Sequence, residues 1–148
     1  MATKYKSRKA RETVISEEVA REAVVDLLDY YDIDIEKLTE SESDGAKAVE
    51  RALDSLTAFV MAGTLEIARD KDGKVPVTHH TAGGAALVYG EVTARAKLAM
   101  DRFKPEEFHG RIYAFMGVLC GIGTDAIQKM TPKDLGAAEM LGTVLMNA

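Results

Sequence analysis

Residues 77 to 91 read VTHHTAGGAALVYGE and hold the densest reactive chemistry in the chain: adjacent histidines His79 and His80, a Gly83-Gly84 pair, and Tyr89. Imidazoles ligate metals and glycine pairs cradle phosphates, so metal or anion binding is the first chemistry to weigh. A zinc site needs three or four ligands at defined spacing, and neighbouring strand residues point to opposite faces. The remaining histidine, His109, is distant in sequence, so His79 and His80 read as exposed polar residues closing a strand, with no metal expected.

The other short motifs weaken in the same way. GIGTDA, from residue 121 to 126, fits the loose G-x-G-x-x-A dinucleotide pattern, but that pattern must follow a strand and a helical pattern precedes it here. RDKDGK, at 69 to 74, lacks the twelve-residue ligand spacing of a calcium loop and reads as a hairpin turn. Cys120 lies among Val118, Leu119 and Ile122, where a buried, inert thiol without a basic partner is expected. Serines and histidines stand in no triad frame. A non-enzymatic protein follows, with no catalytic, metal-binding or cofactor-binding residues and no cofactor.

With 148 residues the chain has the length of one domain and enough of it to bury a core without staples. A single cysteine excludes an intrachain disulfide and suits a reducing compartment, so a cytoplasmic, non-secreted protein is expected. No apolar run approaches bilayer-spanning length, and no membrane partner is expected. Net charge is -5, but five of the 19 basic residues (Lys4, Lys6, Arg8, Lys9, Arg11) sit at the start, leaving 14 against all 24 acidic ones. A body so acidic argues against a nucleic-acid partner. Residues 1–15 are expected to form a disordered basic arm and 16–148 one globular domain, helical over 16–63, with a β element over 64–90 and helical again over 91–148.

The elements that position these residues follow from periodicity and punctuation. Ser16 reads as the N-cap of an amphipathic helix whose apolar stripe is Val19, Ala23, Val24, Leu27, Leu28 and Tyr31 and which ends near Asp32. The acidic connector after it should hold one turn of helix, anchored by Ile33, Ile35 and Leu38. A second helix runs from about Ala46 along Val49, Ala52, Leu56 and Val60 to Gly63 in the C′ position. Alternation at Leu65 and Ile67, the Asp72-Gly73 turn, and Val75 and Val77 predict a β-hairpin, with "ALVY" (86 to 89) as a further strand. Val92 to Phe103 reads as a helix of about three turns, and Pro105 as the first turn of the next, whose inward face is Phe108, Ile112, Phe115, Met116 and Leu119. Gly121 and Gly123 stop it, Thr124 caps a short helix, and Thr131 and Asp134 form an acidic capping box for the last. The fold class is α+β and mostly α-helical, with about five or six helices and one small antiparallel hairpin or three-stranded sheet.

Over about residues 64 to 147 the order of phrases resembles the tail assembly chaperones of long-tailed bacteriophages. Leu87, Gly90, Thr93, Arg95, Ala99 and Asp101 echo one phrase of that family, and Leu119, Gly121, Ile127, Met130, Asp134 and Leu135 echo its closing phrase. The first half departs from the family's common short forms. The resemblance implies a non-enzymatic protein of phage or prophage that binds the tail tape measure protein, and in some systems the tail tube protein, during virion assembly. The C-terminal helix, with Leu135, Met140, Leu141, Leu145 and Met146 separated by Gly136, Ala137, Ala138 and Gly142, is the candidate partner-binding surface, set against packing in the chain's own core. Methionines at 61, 100, 116, 130, 140 and 146 pose the same choice between plastic surface and core filler. Two other classes stay open: a structural tail protein or self-assembling homo-oligomer, and a small-molecule-binding protein using Tyr89 and the histidines.

Overall fold

The computed structural model describes residues 14–41 and 43–148, so the basic arm lies outside the described residues except for Val14 and Ile15. Ser16 accepts from the Val19 N–H and opens α1 (Glu17–Tyr30), where Glu17 and Glu18 complement the helix dipole. Asp34 caps the single-turn α2 (Ile35–Thr39), and Ser43 caps α3 (Asp44–Met61). Gly63, at φ 78°, takes the left-handed position that releases the chain from α3 into the sheet. The sheet has the order β1 (Leu65–Ile67), β2 (Val77–His80), β3 (Ala86–Tyr89), antiparallel throughout. Its inner face carries the cross-strand rows Leu65–His79–Leu87 and Ile67–Val77–Tyr89.

The second half departs from expectation in its boundaries. Thr93 caps α4 (Ala94–Ala99), which tightens at once into a 3-10 turn over Met100–Arg102, so the three-turn helix from Val92 to Phe103 is shorter than its pattern. Pro105 does not begin α5 (Phe108–Cys120). The Glu107 side chain accepts from the Lys104 N–H at 2.9 Å and its N–H donates back to the Lys104 carbonyl, closing a separate turn first. Phe108, at the start of α5, is 47% exposed rather than inward, its ring against His109. Gly121 ends α5 in the left-handed region, and Gly123, not Thr124, caps α6 (Thr124–Gln128). Thr131 caps α7 (Pro132–Leu145) with Pro132 in its first turn. Among the described residues there are seven α-helices and one three-stranded sheet, a mostly helical α+β fold.

One continuous apolar cluster joins every layer. Helix α3 packs on α1 and α7, and α5 packs on α4, α6 and α7. Phe115, Met116, Leu141 and Leu145 are among its fully buried side chains, each contributing roughly 1.5–3 kcal/mol relative to exposure. Met61, Met100, Met116, Met130, Met140 and Met146 lie in this cluster or against it, which makes them core filler. Gly142 fixes the α5–α7 approach: a Cβ there would meet Ile112 Cγ2 at 2.8 Å. Among the described residues no helix is long and apolar enough to cross a membrane.

Candidate functional site

Strand pairing decides the fate of the two histidines. His80 points outward and meets Glu66 Oε1 at 2.9 Å across the sheet, both side chains well exposed. His79 points inward and has no exposed surface, so it is a core residue and not an exposed polar one. What compensates its burial is a polar group assembled from three elements. Tyr89, its diagonal neighbour on β3, places its hydroxyl 2.9 Å from Nδ1, and Asp134 of α7 places Oδ1 at 3.4 Å from Nε2. Both partners are themselves buried.

The second contact is close but poorly aligned, so Nε2 has no hydrogen bond despite the neighbouring carboxylate. An anionic oxygen at 3.4 Å repels a lone pair on Nε2, which puts the ring proton there and leaves Nδ1 to accept from the Tyr89 hydroxyl. The chain of dipoles then runs from Tyr89 through His79 to Asp134. Burial lowers the imidazole pKa below its ordinary 6.5, with the Asp134 charge opposing and His80 adding to the shift. Burial likewise raises the Tyr89 phenol.

Asp134 corrects the capping-box expectation. Thr131 Oγ1 does accept the Asp134 N–H, at 3.5 Å, but the carboxylate does not close the reciprocal bond to the Thr131 backbone. It accepts instead from the Thr131 hydroxyl at 3.1 Å and from the Ala82 N–H, at 3.2 and 3.0 Å to its two oxygens. One carboxylate therefore ties the start of α7 to the turn after β2. That turn is the one expected at Gly83-Gly84, with Gly84 donating to the Thr81 carbonyl.

Geometry resembling an acid–imidazole–hydroxyl relay thus exists, but it is closed off from solvent: His79, Tyr89 and Asp134 are 0%, 1% and 4% exposed. Its action is to lock sheet and last helix together. Of the residues that a small-molecule reading would use, His79 and Tyr89 are out of reach of a ligand in this conformation, and His80 is exposed. Cys120 is half-buried, donates to the Gly117 carbonyl, and has its thiol pushed up by burial, which disfavours the nucleophilic thiolate. Among the described residues no group of three or more His, Cys, Asp and Glu side chains is placed to hold a metal ion.

The five candidate partner-binding residues divide. Leu141 and Leu145 are 0% and 1% exposed and spent in the chain's own core, so neither presents surface to a partner in this conformation. Leu135, Met140 and Met146 are partly buried and packed against the same core. Exposed large apolar side chains lie elsewhere: Val88, Leu98, Phe108 and Ile122 in the second half, and Val19 and Val25 on α1. The outer face of α1 is open, and Glu18, Arg21, Glu22, Val25 and Asp29 lie together along it. Val25 is 48% and Val19 52% exposed on that helix. Val25 falls off the Val24-Leu27-Leu28 stripe by its spacing, whereas Val19, expected on that stripe, faces outward instead.

Comparison with models of known protein families, with curated proteins and with solved structures gives no match.

Proposed function

We propose that this chain is a non-enzymatic assembly chaperone for bacteriophage or prophage tail proteins, with the tape measure protein as client and the tube protein as a second one. The observation that supports the reading is how the residues of the two resembling phrases meet. The Gly90 N–H, in the first phrase, donates to the Leu119 carbonyl, in the second, at 2.8 Å. Around that junction Thr93 caps α4, Gly121 ends α5, and Asp134 ties α7 to the sheet. The phrases therefore carry the joints of one scaffold.

A chaperone for a long helical client needs apolar surface in an acidic, soluble setting, and the outer face of α1 offers both: Val25 lies between Glu18, Glu22 and Asp29. A client helix with basic residues flanking an apolar stripe fits such a face. Coexpression with the tape measure protein of the same gene neighbourhood tests the reading. Co-purification and a soluble client support it; a client equally soluble without the chain overturns it.

A second reading, a self-assembling tail subunit, is favoured by β3. This strand lies at the sheet edge, contains no charge or proline, and leaves Val88 52% exposed, the composition that invites strand pairing. Light scattering separates the two, since a concentration-dependent ring or tube belongs to this reading alone.

A further inference from the structure

A second concave feature lies where the end of α1, the β1–β2 loop and the segment after β3 meet, a cleft of about 230 Å³. Its aromatic walls are Tyr30 and Tyr31, ring centroids 4.9 Å apart and planes at 79°, so two π-systems adjoin nearly at right angles. Glu91 lies across from them, accepting from the Tyr30 hydroxyl, while Tyr31 accepts the Val92 N–H at 3.1 Å and is thereby held in place. Asp70 adds a second carboxylate, fixed by the N–H groups of Asp72 and Lys74. Aromatic rings presented with carboxylates form a setting that attracts organic cations, through the ring quadrupoles and the formal charges together.

The cleft already meets one such cation. Lys74 Nζ stands 3.6 Å from Glu91 Oε2, with the lysine side chain 57% and the glutamate 44% exposed. A pair this long and this exposed is worth little, so the amine is readily displaced. We propose that the cleft between Tyr30, Tyr31 and Glu91 binds an alkylammonium head group, which takes the place of the Lys74 amine at the Glu91 carboxylate. The shared chemistry is that of a free quaternary amine and of a lysine side chain on a peptide. The site is independent of the client reading above.

Titration of the isotope-labelled full chain, followed by NMR at constant ionic strength, tests it with three probes: choline, N-acetyl-lysine amide, and 3,3-dimethyl-1-butanol, the uncharged isostere of choline. Saturable, millimolar binding of a cationic probe with shifts centred on Tyr31, Lys74, Gly90 and Glu91 is expected, and whichever cation binds more tightly identifies the source. Lys74→Met removes the competing amine and should tighten binding by about threefold, whereas Glu91→Gln, which keeps the Tyr30 acceptor, should weaken it by about tenfold, as expected for single charge and cation–π contributions. Equal binding of the uncharged isostere, shifts centred elsewhere, no saturation by either cation, or binding unchanged in Glu91→Gln would each overturn the assignment.

Discussion

Helices α1 and α7 are alike on paper and opposite in use. Each has 14 residues, a hydroxyl N-cap and acid in its first turn. Yet α1 buries only Ala20, Val24, Leu27 and Leu28 and turns Val19 and Val25 outward, while α7 buries Asp134, Ala137, Ala138, Leu141, Gly142, Val144 and Leu145. The difference lies in what surrounds each helix. Helix α7 touches α3, α5 and α6, and its small residues allow that approach, whereas among the described residues α1 packs chiefly on α3 and β1. Apolar spacing says that a helix joins a core; the neighbours decide how much of its circumference does.

The contrast breaks most sharply under charge. Leu141→Asp places an unpaired carboxylate in the centre of the core and should abolish the cooperative thermal transition, a loss above about 4 kcal/mol. Val25→Arg on α1 should shift the melting free energy by no more than about 0.5 kcal/mol, because the site is half-exposed and lies among carboxylates.

Smaller, and specific to the sheet–helix lock, is the loss of Asp134. Asp134→Ala removes an acceptor shared by the Thr131 hydroxyl and the Ala82 N–H and should cost about 2–3 kcal/mol by denaturant titration. Amide exchange at Ala82 should accelerate with it.

Within α7 two glycines sharpen the picture further. Gly142→Ala forces a methyl to 2.8 Å from Ile112 and should destabilise by about 1–2 kcal/mol, whereas at Gly136 the nearest atom, from Phe59, is 3.8 Å away. Gly136→Ala should therefore stabilise by about 0.5 kcal/mol through helix propensity alone. A rise on both substitutions would mean that α7 is not clamped against α5.

The smallest effect is a pH dependence. His79 has its folded pKa lowered by burial, so the unfolded chain takes up the proton first as pH falls. Its contribution to stability is complete above the ordinary 6.5 and is lost as pH drops from there through the folded value. Denaturant midpoints between pH 7.5 and 5 should fall more steeply for the native sequence than for His79→Gln.

Much of the fold was legible because its punctuation is local. Ser16, Gly63, Gly121 and Thr131 act through backbone groups within a few residues, and each stands where its residue type predicts. The misses are all decided by partners outside that range or by side chains competing with the local pattern. Pro105 lost the helix start because Glu107 closed a turn on Lys104 first. His79 could be assigned an inward face from alternation, but not a buried one, since its compensating carboxylate lies 55 residues on, at Asp134. That carboxylate in turn passed over its own helix cap for the Ala82 N–H. The burial of two candidate residues was hidden for the same reason: Leu141 and Leu145 have the spacing of a docking face, and only the presence of α5 and α3 shows that they meet the chain's own core.

The most direct test is coexpression of the tape measure protein with the native chain and with Val25→Arg. If the outer face of α1 holds the client, the native chain co-purifies with a soluble tape measure protein, and the variant, unchanged in melting temperature, leaves it in the pellet. Equal recovery of soluble client with the native chain, with the variant and with neither would contradict both the chaperone reading and its placement on α1.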